Sequence, residues 1–143
     1  INEEMVGHPI LKGVKDIWGP TDVYAITALM GDAQVLVDGQ VLVGMKPTDE
    51  PKPDMPTMPL AWIKTYTGDG AVASPVFCTT MGASVDLESE GLRRLLVNGC
   101  YWCMGIEDRI PEESRVDYVG EHPPTPFGFG DFKKGVRPSD LKL

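Results

Sequence analysis

Histidine is scarce in this sequence, basic residues are outnumbered, and no hydrophobic run is long. The chain has two histidines and three cysteines among 143 residues. An odd, small cysteine count does not build a disulfide framework. Four-coordinate zinc would have to gather Cys78, Cys100, Cys103 and the two distant histidines, His8 and His122, so no metal is expected. Thirteen Lys and Arg stand against 21 Asp and Glu, a formal charge of −8. Nucleic-acid binding needs a phosphate-neutralising surface, which so few scattered cations do not supply. An anionic membrane surface is disfavoured on the same ground. No apolar run approaches the ~20 residues of a membrane span. No signal-peptide pattern is present and the chain begins at Ile1, which reads as a processing boundary. The compartment therefore stays open between cytoplasm and periplasm.

What is present suits one compact domain. Apolar residues make up 42% and charged residues 24%, ordinary globular values. Gly 16 and Pro 13 are high, so many turns and long irregular connections are expected. Residues 7–22 are broken by Gly and Pro and read as loop, with one helical turn near 11–14. VYAITAL at 23–29 is apolar and β-branched and reads as a strand. Residues 33–45 hold two strand-like runs around Asp38-Gly39, either a hairpin turn or one strand with a glycine bulge. Residues 46–59 contain five prolines in fourteen positions and read as an exposed extended loop, a lid or a solvated insertion. LAWIKTYT at 60–67 and PVFCTTM at 75–81 read as strands separated by a turn.

A helix is expected after Gly82. Leu92, Leu95, Leu96, Gly99, Cys100, Trp102 and Cys103 fall on one apolar stripe at 100° per residue, with Arg93, Arg94 and Asn98 outside it. Ser84 or Asp86 would cap its start, and Gly105 would stop it. C-x-x-C is a redox motif when its first thiol opens a helix. Here the pair lies near the helix C-terminus, where partial negative charge opposes a thiolate, and the stripe assigns both cysteines to the core as buried, small apolar residues. The loop CTTMGAS joins the C-terminal end of a strand to a helix start, where open α/β sheets bind ligands. Thr79, Thr80 and the N–H groups there can bind sugar hydroxyls, a carboxylate or a phosphate. Helix capping by Ser84, with both threonines as plain strand residues, explains the same stretch.

T-T-x-G at 79–82, followed by L-R-R-L-L-x-N-x-x-x-W at 92–102, resembles the ThuA-like (trehalose utilisation) family. That family belongs to the class I glutamine amidotransferase-like superfamily. His8-Pro9-Ile10 with Gly13-Val14 matches the family's H-P-I-x-x-G-[VL] element. Thr21-Asp22-Val23-Tyr24 stands at its D-E-x-Y element, and Pro59-Leu60-Ala61-Trp62 at its P-[VL]-x-W strand. The likeness covers about 7–105, the C-terminal half of that fold. Residues 106–143 resemble an extended, irregular tail of a bacterial subgroup.

The resemblance implies an α/β three-layer sandwich, flavodoxin-like or class I amidotransferase-like, present in its C-terminal part. It implies a protein of carbohydrate metabolism that binds or converts a sugar-derived small molecule, with no cofactor. Asp22 and His8 would be the polar actors in catalysis, with Thr79, Thr80, Ser84, Tyr24 and Trp62 binding substrate. Residue by residue, His8 is also explained as a cap or turn residue before proline, Asp22 as a turn hydrogen bonder, and Tyr24 and Trp62 as core aromatics. Ala83 replaces the histidine that many relatives carry after T-T-x-G, and the nucleophile elbow of the superfamily would lie ahead of Ile1. Amidotransferase chemistry is therefore not expected. The alternative is a non-catalytic binding or assembly domain on the same fold. In the tail, Phe127, Phe129 and Phe132 would form an exposed apolar strip unless docked on the chain or on a second copy, which makes a homo-oligomer through 123–134 an expectation.

Overall fold

The computed structural model describes residues 1–126, 128 and 130–141. Three antiparallel strands lie in the order β1 (Gln34–Gly39), β2 (Met58–Thr67) and β3 (Ala73–Thr79), and one helix, α1 (Glu90–Cys103), packs on one face. Five short 3-10 turns complete the regular structure among the described residues. The fold thus mixes helix and strand, with one helical layer on a small sheet and no third layer among the described residues. No helix among them is long and apolar enough to cross a membrane.

β2 and β3 follow from their sequences. Alternate residues of a strand face opposite sides, and Ala61, Ile63 and their partners Thr79 and Phe77 turn one face toward α1. Trp62, paired with Val35 and Cys78, belongs to the other face and is half-buried. Leu36, Leu60, Leu92, Leu95 and Ile10 fill the core. Gly99 lets α1 approach closely: a Cβ there would stand 2.9 Å from the Phe77 ring.

Other expectations change. Residues 23–29 form no strand, and Tyr24 is 57% exposed. A strand is stable only when its main-chain groups pair, and no described segment pairs with 23–29. The chain does not reverse at Asp38-Gly39 either. Gly39 is buried, and a Cβ on it would lie 2.9 Å from Leu60, so it serves close packing. The register irregularity falls earlier, at Val35–Asp38. The reversal comes inside the proline-rich stretch, where the Asp49 amide donates to the Lys46 carbonyl (3.0 Å) and Leu42 bridges Pro51. Pro47 at the second position of that turn has the φ it requires.

The helix cap is Ser89, whose hydroxyl accepts from the Leu92 amide at 3.3 Å, in place of Ser84 or Asp86. Gly105, at φ +69°, ends the helix: its amide donates to Trp102 and that of Ile106 to Tyr101, satisfying carbonyls that would otherwise be orphaned. The buried side of α1 is Gly91, Leu92, Arg94, Leu95, Asn98 and Gly99. It is rotated away from the expected stripe, and Cys100 and Cys103 are exposed. The cause is residues 110–116, which pack on the Arg94 and Asn98 flank. Ile110, Ser114 and Val116 are buried although the segment is irregular. Arg94 Nε donates to the Ser114 carbonyl (3.2 Å), Arg93 Nε to that of Val116 (2.7 Å) and Lys12 Nζ to that of Ile110 (3.0 Å). Two residues of the aromatic strip, Phe127 and Phe129, lie outside the described residues. Phe132 is 71% exposed and does not dock on this chain.

Gly91, in the first turn of α1, gives a test of sign. Glycine to alanine inside a helix ordinarily stabilises by about 0.5–1 kcal/mol. A Cβ on Gly91 would lie within the contact radius of the Lys15 carbonyl oxygen. Gly91→Ala is therefore expected to destabilise, by roughly 1–3 kcal/mol, as the 15–17 backbone is pushed off the helix. Equilibrium urea unfolding checks this, and a stabilised variant would contradict the packing described.

Candidate functional site

The 16–23 segment owes its position to the start of α1. Ser89, besides capping the helix, accepts from the Trp18 amide (3.4 Å) and donates to the Asp16 carbonyl (3.5 Å). Gly19 sits so close to Met81 and Asp86 that no side chain fits. Asp86 is 1% exposed and joins the segment to the loop at 79–84. Its carboxylate accepts from the Thr21 hydroxyl (2.8 Å), the Gly82 amide (3.1 Å) and the Ala83 amide (3.0 Å).

Between this segment, the end of β1 and the proline-rich stretch lies a cleft of about 650 Å³. Asp22, Asp38, Trp18, Gln40, Met45 and Met81 are among its lining residues. Asp16 is a third carboxylate there, and none of the described lining residues is basic. A carboxylate or phosphate ligand would meet only like charge, since the Gly82 and Ala83 amides are already bound to Asp86. A ligand rich in hydroxyls is the better fit. Carboxylates and the Gln40 side-chain oxygen can accept at its edges, and Trp18 offers an apolar face.

The expected site residues divide between places. Asp22 lines the cleft and is exposed. His8 lines a separate pocket of about 290 Å³, with Trp102, Lys64, Asp32 and Gln34. There His8 caps the turn Pro9–Leu11: its Nδ1 accepts from the Ile10 amide at 3.3 Å, and its ring centre is 5.7 Å from that of Trp102. The Thr79 hydroxyl accepts from the Met81 amide (3.1 Å), and Thr80 Oγ1 reaches the Leu60 carbonyl (3.5 Å). Both hydroxyls thus serve the local backbone. Ser84 is exposed, and its carbonyl meets His122 Nε2 at 3.1 Å. Tyr24, Trp62, Thr79, Thr80 and Ser84 do not line the cleft; Met81 represents their loop in it.

Asp86, Trp18, Asp38 and Gln40 are the residues that sequence reasoning missed. Asp86 left a usable signal, an acid four residues after a loop glycine, which can gather the free amides of that loop. Asp38 was concealed by its glycine neighbour, which made the pair look like a turn.

Burial lowers the His8 pKa below its ordinary value of 6.5, against a smaller opposing effect of the Glu107 carboxylate. The folded chain therefore favours neutral imidazole, as its role as acceptor requires. This stability is complete above pH 6.5 and declines as pH falls, because the unfolded chain binds the proton more readily. Melting temperatures of the parent are expected to fall on acidification more steeply than those of His8→Asn, which keeps an acceptor but no titrating ring. Parallel curves would remove His8 as the cause.

No protein-family signature, curated protein or solved structure matches this chain.

Proposed function

We propose that the chain is the C-terminal part of a ThuA-like domain, of the three-layer amidotransferase-like kind, and that its cleft holds a sugar-derived small molecule. One observation carries this reading. Asp22, from the T-D-x-Y element, and Met81, from the T-T-x-G loop, line the same cleft, and Thr21 and Asp86 tie their two segments together. Two sequence elements that resemble one family, with Asp22 and Met81 59 positions apart, meet at one cleft, as a shared site requires. The described lining, acidic and without a basic residue, supports a neutral polyol. Asp22 would accept hydrogen bonds from ligand hydroxyls, and Trp18 would contact the apolar face of a ring.

Asp22→Asn tests the reading. Asp22 is exposed and takes part in none of the hydrogen bonds that hold the loop. The variant should keep its stability within about 1 kcal/mol and bind trehalose or a related sugar at least tenfold more weakly, roughly the loss of one charge-assisted hydrogen bond. Calorimetric or NMR titration measures the affinity, and equal affinity for both proteins would sink the proposal.

A second reading, a binding or assembly domain without catalysis, is favoured by the separation of His8 from the cleft and by Ala83. The described lining pairs its carboxylates with no imidazole or lysine that could relay a proton. Unchanged sugar on prolonged incubation, together with Asp22-dependent binding, would select this reading.

A further inference from the structure

We infer that the C-terminal turn of α1 is a binding site for a soft monovalent cation of the Cu(I) type, formed by the thiols of Cys100 and Cys103 and the thioether of Met104. All three side chains are exposed, Met104 to 62%. The Met104 amide donates to the Cys100 carbonyl at 3.1 Å, so Met104 continues the helix one turn above Cys100. Cys103 and Met104 therefore stand at i+3 and i+4 from Cys100, on either side of it, each with its Cβ about 5–6 Å from that of Cys100. Side-chain rotation from that spacing brings sulfurs onto one ion. The apolar stripe gave the cysteines a packing role, and their exposure takes it away.

The donor set selects the metal. Thiolate and thioether sulfur favour Cu(I), which is content with two or three ligands. Zinc prefers four, and among the described residues no group of three or more His, Cys, Asp or Glu comes together to hold a metal. On binding, each thiol releases its proton to solvent as its sulfur–metal bond forms, and Met104 donates a lone pair unchanged. Copper enters and remains Cu(I), so no oxidant or reductant takes part.

The test is an anaerobic titration of the reduced chain with Cu(I) against a chromogenic Cu(I) chelator. One ion per chain is expected, protecting two of the three thiols from alkylation and leaving Cys78 reactive as before. The pair of changes Cys100→Ser and Cys103→Ser should weaken binding by roughly a hundredfold or more, and Met104→Leu by about three- to tenfold, because sulfur donors are removed. Circular dichroism should be unaltered in each, since the side chains are exposed. Binding that survives the loss of both cysteines, or that is lost in Cys78→Ser, overturns the assignment. So does Met104→Leu with parental affinity, which would reduce the site to an ordinary dithiol. Displacement of Cu(I) by equimolar Zn(II) would overturn the choice of metal.

Discussion

Asp86→Ala is expected to lower the folding free energy by about 2–4 kcal/mol, through loss of charge-assisted hydrogen bonds and the burial of two amides and a hydroxyl without their acceptor. The carboxylate is 1% exposed and accepts from one hydroxyl and two backbone amides. Those donors offset the cost of burying a charge, and no lysine or arginine contributes. Alanine removes both carboxylate oxygens, so the Gly82 and Ala83 amides and the Thr21 hydroxyl lose their shared acceptor together. The loss should reach beyond stability. Release of Thr21 frees the 19–22 segment, and sugar binding at Asp22 should weaken in a variant that keeps Asp22 itself. Hydrogen exchange at Gly82 and Ala83 should accelerate. Thr21→Val, which removes a single donor, is expected to cost about 1 kcal/mol. Urea unfolding of Asp86→Ala at parental free energy would show that the acid is a bystander.

Asn98→Ala should be the most damaging single change on α1, at roughly 3–5 kcal/mol, because three polar groups lose their partners in the interior. Asn98 is wholly buried. Its amide nitrogen donates to the carbonyls of Ile10 (3.0 Å) and Lys12 (2.9 Å), and its oxygen accepts from the Ser114 hydroxyl (2.7 Å). One side chain thus joins the turn that carries His8, the helix, and the segment after it. Asn98→Leu restores volume and leaves the same groups unpaired, so it should rescue little. The double variant with Ser114→Ala should cost less than the sum of the singles, by about 0.5–1 kcal/mol. Trypsin should cut faster at Arg109 and Arg115 once Asn98 is gone. A loss below about 1 kcal/mol would contradict this account, being the size of an ordinary surface change.

Much of the framework was legible in the sequence. β2 and β3 were readable because 60–63 and 76–78 are short runs rich in apolar, β-branched and aromatic residues set off by a glycine-containing turn, and α1 because leucines recur on one side. Gly105 announced the helix end through the backbone conformation that a closing turn needs. The missing strand at 23–29 shows the limit: apolar, β-branched residues state a preference, and pairing partners decide. Arg94 and Asn98 show a second limit. Hydropathy counts them as surface residues, yet buried polar side chains are stable wherever carbonyls await them, and those carbonyls come from residues 10–13 and 114. The candidate site was legible at Asp22 and at the loop containing Met81. His8 could not be separated from them in advance, because a short turn sends its ring toward Trp102, and sequence spacing does not encode that direction.

Lys12, Arg93 and Arg94 hold the segment 110–116 by main-chain oxygens. A carbonyl is common to every amino acid, so this grip is indifferent to most side chains along the segment while fixing its path and register. Evolutionary drift should therefore be permissive at Pro111 and Arg115, which are exposed, and less so at Glu112, whose carboxylate pairs with Lys12 at 2.9 Å. Insertions or deletions between Ile110 and Val116 should be rare, since a shift of one residue would move every clamped oxygen away from its cation. Alternate substitution and gap patterns in related chains would then record a track whose length is conserved while its lettering is free.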